Sequence, residues 1–226
     1  MDPLVRIEGI KKNYGRRNIL NGVSLTADPG MCVGILGSNG CGKSTLLSIL
    51  AGELSADAGS FYVEGTDLLH APALRRERIG YAPQGTPLIA ELSALDNLRL
   101  WYDRETLDAS LKNGPLSLLG IPEFLKTPVR KMSGGMKKRL SIGCSISGEP
   151  DILLLDEPGA ALDLLCKEAM ENYFSAFLAE GGIIFLVTHD VQELRLCSKS
   201  YILKNGTLTP FAFDGDVRRL TEALKA

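Results

Sequence analysis

The chain has 226 residues, 45% of them hydrophobic, with 25 basic against 27 acidic side chains and a formal charge of -2. That length holds one large domain with a buried core and room for an inserted subdomain. The near-neutral balance leaves no overall electrostatic footprint for nucleic acid or for an anionic membrane surface.

The opening stretch, MDPLVRIEGI, has no basic region followed by an apolar one, and no secretory leader is expected. Val5 and Ile7 alternate with polar neighbours, as in a half-buried strand. Residues 33–36 are continuously apolar, the pattern of a strand covered on both faces, and lead directly into a glycine-rich loop and a helix beginning near Ser44. Phe61 and Val63 alternate again before a Glu64-Gly65 turn.

From residue 91 to 147 the pattern changes. Leu92, Leu95 and Leu98 recur at near-helical spacing, Leu107 and Leu111 follow, and Gly114-Pro115, Gly120 and Pro122 cut the run into short pieces. This predicts a small helical subdomain inserted into an α/β core made of residues 1–90 and 148–226. Residues 152–155 and 183–187 repeat the all-apolar strand character. Apolar strands each followed by a helical pattern predict a parallel sheet with crossover helices. Leu165, Ala169, Tyr173 and Phe177 mark one face of a longer helix between the last two strands. Tyr201-Ile202-Leu203, Asn205-Gly206 and Leu208 predict a hairpin, and Val217, Leu220 and Leu224 a terminal helix. The tail after Gly206 is too short for a large regulatory domain. Every apolar run is too short to span a bilayer, so work at a membrane would need another chain for the membrane part. Cys32, Cys41, Cys144, Cys166 and Cys197 are scattered, without ligand spacing, and read as reduced thiols of a cytosolic protein.

Residues 37–44 read GSNGCGKS and meet the pattern GxxxxGK[ST] through Gly37, Gly42, Lys43 and Ser44. The glycines let successive backbone N–H groups turn inward around phosphate oxygens, and the following helix aims its free N–H groups at the same anion. Lys43 supplies a point charge for the β and γ phosphates, and the Ser44 hydroxyl is a ligand for Mg²⁺. The nucleotide-binding set is Gly37, Ser38, Asn39, Gly40, Cys41, Gly42, Lys43, Ser44 and Thr45, with Cys41 a small filler at an unconstrained position. Downstream, the strand at 152–155 ends in Asp156 and Glu157, at the sheet edge where ligands sit in such folds. Asp156 is the candidate to hold Mg²⁺ through water, and Glu157 the candidate general base.

Further pieces narrow the choice. Gln84 lies in YAPQ; Met132-Ser133-Gly134-Gly135-Met136 precedes the basic run Lys137-Lys138-Arg139; Leu162-Asp163 follows the acids; Thr188-His189-Asp190 closes the last apolar strand. This set, in this order and over nearly the whole chain, resembles the nucleotide-binding subunits of ATP-binding cassette (ABC) transporters. The resemblance implies a P-loop NTPase core with a mainly parallel sheet, an N-terminal antiparallel β subdomain and an inserted α-helical signature subdomain. It implies ATP and Mg²⁺ as cofactors and ATP hydrolysis as the reaction. Tyr14 would stack on adenine. Gln84 would touch Mg²⁺ or the attacking water, and His189 would hydrogen-bond the γ phosphate. Ser133, Gly134 and Gly135 would bind the γ phosphate held by a partner subunit, and Asp163 would lie at the subunit contact. The partners implied are a second nucleotide-binding subunit, identical or paralogous, and a separate transmembrane permease that places the chain on the inner face of the cell membrane.

The segment PLIAELSALDNL loosely resembles exporter-type cassettes. The alternatives are a soluble ABC ATPase acting on a cytosolic assembly and a weakly catalytic scaffold. No guanine-reading NKxD is present, and His70 has no assigned role. Two departures from the family pattern bear on the hydrolysis rate: Met136 stands where the signature usually ends in Gln, and Gly159-Ala160-Ala161 where Thr-Ser-Ala is frequent.

Overall fold

The computed structural model describes residues 4–160 and 162–225, so Ala161 of the second departure lies outside the described residues. The chain opens with β1 (Val5–Tyr14) and β2 (Arg17–Ala27), an antiparallel hairpin. Val5, Ile7 and Ile10 all point inward although Ile7 and Ile10 are three apart. Gly9, at φ 62°, sits in an irregularity of the β1–β2 register between those two residues and restores the alternation.

The chain then enters the core through β3 (Cys32–Leu36) and α1 (Lys43–Ala51) and returns as β4 (Ala58–Val63) and β5 (Thr66–Asp67). These close a four-stranded sheet in the order β2-β1-β4-β5. The Glu64-Gly65 turn between them has both residues at positive φ, which hands the chain back antiparallel.

Next come α2 (Pro72–Arg78), β6 (Ile79–Ala82), α3 (Ala94–Leu98), α4 (Arg104–Asn113), α5 (Pro115–Leu118) and α6 (Gly134–Ser145), with 3₁₀ turns at Ile121–Phe124 and Val129–Lys131. The chain finishes with β7 (Ile152–Asp156), α7 (Leu164–Ala179), β8 (Ile183–Val187), α8 (Val191–Leu194), the hairpin β9 (Lys199–Lys204) and β10 (Thr207–Pro210), and α9 (Val217–Lys225).

The second sheet has six strands in the order β10-β9-β3-β8-β7-β6, parallel throughout except for β10. Every residue of β3, β7 and β8 is buried, as their apolar runs require of strands covered on both faces. Alternate side chains serve two cores. Leu154 and Phe185 pack with α1 and the N-terminal sheet, whereas Leu153, Leu155 and Leu186 pack with the helices between β6 and β7. No helix among the described residues is long and apolar enough to cross a membrane.

Two expectations need correction. The buried face of α7 is Cys166, Met170, Tyr173 and Phe174, whereas Leu165 is 78% exposed and Ala169 only half-buried. Asp163 caps this helix by accepting from the Cys166 N–H at 2.9 Å, and packing of Met170, Tyr173 and Phe174 into the core leaves Leu164 and Leu165 facing outward. Leu92 lies ahead of α3 rather than on it: its carbonyl accepts from the Val129 N–H at 2.9 Å, and Ser93 is the cap. β2 and β6 carry no clear strand pattern in the sequence, because Asn21-Gly22 and Gly80 interrupt it.

Candidate active site

The loop from β3 to α1 is shaped by what leaves no room for side chains. At Gly37, φ is 153° and a Cβ would lie 2.5 Å from the Leu203 carbonyl of β9. At Gly42, φ is 113° and a Cβ would lie 2.9 Å from Ile19 Cγ2 of β2. The loop is therefore gripped from both sides, and glycine is required where the backbone also turns left-handed. Gly42 caps α1 without a side-chain hydrogen bond and no acid occupies the first turn, so the N–H groups of that turn are left for an anion. Lys43 is buried and its Nζ donates to the Gly37 and Ser38 carbonyls at 2.7 and 3.1 Å. The ammonium is thus folded back across the loop mouth.

Opposite the loop, the carboxyl ends of three parallel strands converge. Asp156 ends β7 and is 2% exposed. Burial pushes its carboxyl up, while the nearby Ser44 hydroxyl and the Lys138 and Lys43 charges pull the other way. Glu157 follows at φ 47°, an unusual conformation for a non-glycine, held by its N–H donating to the Val187 carbonyl at 2.8 Å. That twist turns its carboxylate toward two neighbours. Gln84, after β6, donates from Nε2 to Oε2 at 2.9 Å, and His189 Nε2, after β8, stands 3.4 Å from Oε1. Burial and the Lys43 charge lower the His189 pKa, with Glu157 opposing.

The structure thus brings Lys43, Ser44, Gln84, Asp156, Glu157 and His189 to one sheet edge. Ser133, Gly134, Gly135 and Asp163 form a second group where α6 starts against α7. Ser133 Oγ caps α6 by accepting from the Met136 N–H at 3.2 Å, Gly134 has open space above it, and a Cβ on Gly135 would overlap Cys166 Sγ. Tyr14, at the end of β1, is 50% exposed, with Lys12 Nζ 5.7 Å from its ring centroid. Met136 packs its side chain against the core shared by the helices between β6 and β7, so at this position an apolar contact takes the place of a polar one.

One contributor was not singled out in the sequence. Within the basic run after the signature, Lys138 and Arg139 are buried rather than solvated. Lys138 Nζ donates to the Pro83 carbonyl at 2.7 Å and the Asp156 carbonyl at 3.1 Å, tying α6 to the segments that carry Gln84 and Glu157. Burial lowers its pKa to about 8 against the upward pull of Asp156, Glu193 and Glu157. Arg139 donates to the Leu119 carbonyl at 3.1 Å and lies 5.0 Å over the Phe124 ring. A run of three cations on a short helix carries no local sign of which ones point inward.

Comparison with known proteins identifies the family. The family model described as ABC transporter matches residues 20–160. The Nod factor export ATP-binding protein I of Ralstonia nicotianae is 32% identical over 209 residues, 90% of this chain, which spans 65% of that relative's length. An ABC transporter ATP-binding protein of Rhizobium meliloti is 33% identical over 94% of the chain and 83% of its own length. The lantibiotic transport ATP-binding protein SrtF of Streptococcus pyogenes is 34% identical over 84% of the chain and 82% of its own length. Among solved structures, an ATP-binding subunit of an ABC transporter superposes with a TM-score of 0.82 at 28% identity, covering 99% of this chain and 95% of that one. A dimeric ATP-binding cassette in a post-hydrolysis state, bound to ADP and Pi, superposes with a TM-score of 0.78 at 26% identity over 90% of this chain and 96% of its own. The family match covers more than half of the chain and includes both the phosphate loop and the acidic pair, so the chain belongs to the ABC transporter family, as one of its ATP-hydrolysing nucleotide-binding subunits.

Proposed function

We propose that the chain powers an exporter by closing, as one half of a head-to-tail dimer, around two ATP molecules. The observation that carries this reading is Glu157, turned by its backbone between Gln84 and His189 at the strand edge that also holds Asp156 and Ser44. In this reading Gly37, Ser38, Asn39, Gly40, Cys41, Gly42, Lys43, Ser44 and Thr45 wrap the phosphates and Tyr14 stacks on adenine. Glu157 takes the proton of the attacking water, and His189 donates to the γ phosphate. Ser133, Gly134 and Gly135 meet the γ phosphate of the partner's nucleotide at the α6 N-terminus, and Asp163 lies at the subunit contact. ATP then favours the closed dimer because only that state binds each γ phosphate from both sides, and hydrolysis removes the preference.

Ser44 Oγ, the Asp156 carboxylate and the Gln84 side-chain carbonyl would supply an all-oxygen donor set suited to a hard cation. The buried, burial-strained Asp156 carboxyl is the feature a cation would relieve. Mg²⁺ held there would neutralise charge on the transferring phosphate.

Export is supported by the relatives named for Nod factor export and lantibiotic transport. Residues 91–147 act as a helical subdomain jointed at Gln84, and a groove of about 450 Å³ lined by Tyr81, Pro83, Leu88, Trp101 and Cys144 lies between it and the core. Trp101 is 63% exposed on the rim. This groove receives a separate transmembrane permease, which holds the chain on the inner face of the membrane. The chain is expected to copurify in detergent with a polytopic membrane protein. Recovery only with soluble proteins would instead favour a cytosolic ABC ATPase.

A chemical test of the loop is also available. Cys41 is half-buried, and its Sγ lies where a Cβ on Gly37 would come within 2.6 Å. Cys144 is buried, with its thiol pushed up to about 12 by desolvation. A maleimide at neutral pH is expected to label Cys41 far ahead of Cys144, to block nucleotide binding, and to be excluded by ATP. Peptide mapping reads the site, and labelling of Cys41 without loss of ATP binding would move the nucleotide away from this loop.

A further inference from the structure

Glu193 lies in α8, just beyond His189, and is 5% exposed. Its carboxylate joins two different loops. The Thr188 hydroxyl donates to Oε2, and the Gly159 backbone lies directly against the other carboxylate oxygen. Thr188 Oγ1 also accepts from the Asp190 N–H at 2.9 Å, while Asp190 is paired with Lys167 of α7. A Cβ at Gly159 would overlap Glu193 Oε1, so glycine is what allows the carboxylate this close to the backbone. Gly159 is two residues beyond Glu157, and Thr188 immediately precedes His189. One buried carboxylate therefore ties together the two backbones whose side chains face each other at 3.4 Å.

A buried acid is a poor choice if the site needs only packing, because well-packed apolar residues of similar volume are often as stabilising. Burial pushes the Glu193 carboxyl up, and the Thr188 hydroxyl and the Gly159 backbone offset this. We propose that Glu193 is a positioning residue for ATP hydrolysis, its carboxylate fixing Glu157 relative to His189 through Gly159 and Thr188. The inference rests on the roles proposed above for Glu157 and His189.

The test compares Glu193→Ala, Glu193→Gln and Gly159→Ala in the purified chain. Glu193→Ala is expected to lower kcat about tenfold or more with KM for ATP changed by less than about twofold. Glu193→Gln keeps an oxygen against the Gly159 backbone and an amide for the Thr188 oxygen, and is expected to recover most of the rate. Gly159→Ala, whose Cβ would displace the carboxylate, should reproduce the alanine phenotype. The chain has two histidines, so the ring proton resonances of the nucleotide-free protein give a second readout. His189 should shift in Glu193→Ala and His70 should not. Wild-type kcat in Glu193→Ala, or an unshifted His189, overturns the proposal. So does an equal loss in the alanine and glutamine variants with both histidines shifted, which would mark a purely structural role. A wild-type chain that hydrolyses no ATP would count against the proposed function, and the His189 shift would still decide the positioning.

Discussion

Glu157→Gln is expected to abolish ATP turnover while leaving ATP bound. The amide matches the carboxylate in size, and its oxygen can still accept from Gln84 Nε2, which now sits 2.9 Å from Oε2, so the strand edge should hold its shape. The change removes the negative charge and the proton-accepting capacity. Positioned general bases contribute on the order of 10² to 10⁴ in rate, and a loss in that range is the expectation. Binding should not depend on the base, because the proposed function assigns the phosphates to the loop after β3 and the first turn of α1. On the proposed cycle, the variant should therefore accumulate a closed, ATP-bound dimer. Phosphate release measures the first effect, and size-exclusion chromatography with ATP the second. Ordinary turnover in this variant would take Glu157 out of the reaction.

Lys43→Ala carries the other large effect, and it falls on binding. The ammonium is buried and, among the described residues, donates to the Gly37 and Ser38 carbonyls. A buried cation held by neutral carbonyls is well placed to gain from an arriving phosphate, since a charge-assisted hydrogen bond contributes about 1.5–3 kcal/mol. Losing two such bonds weakens ATP binding by roughly 10² to 10⁴ at about 1.4 kcal/mol per tenfold. Calorimetric titration with a non-hydrolysable analogue would read this, with circular dichroism confirming that the α/β fold persists. Unchanged retention of nucleotide would overturn the phosphate-loop assignment itself. The two substitutions should thus separate cleanly, one stopping chemistry on a bound ligand and the other preventing the ligand from binding.

The region beyond the strands divides along the same line. Lys138 clamps α6 onto Pro83 and Asp156, and Glu193 clamps the turn after Glu157 onto the turn before His189. Both are buried charges that contact main-chain groups, and both act on segments bearing the candidate catalytic side chains. Placement of those side chains is therefore distributed over α6 and α8 as well as the strand ends.

The chain's order of residues was sufficient for what is built within a few neighbours. The phosphate loop is legible because Gly37, Gly42, Lys43 and Ser44 act through adjacent backbone N–H groups and the start of one helix, all local. The all-apolar runs of β3, β7 and β8 announce strands buried on both faces for the same reason. The buried side of α7 is not legible from the spacing of its leucines, because packing of Met170, Tyr173 and Phe174 against the core selects which face turns inward. Only the tertiary structure places Gln84 against Glu157, 73 residues away, because that contact follows from β6, β7 and β8 lying side by side. Sheet order arises from the packing of helices on both faces and leaves no periodic trace. The inward turn of Lys138 and the fit of Glu193 against Gly159 belong to that same level, where distant segments meet and the space left between them selects the side chain.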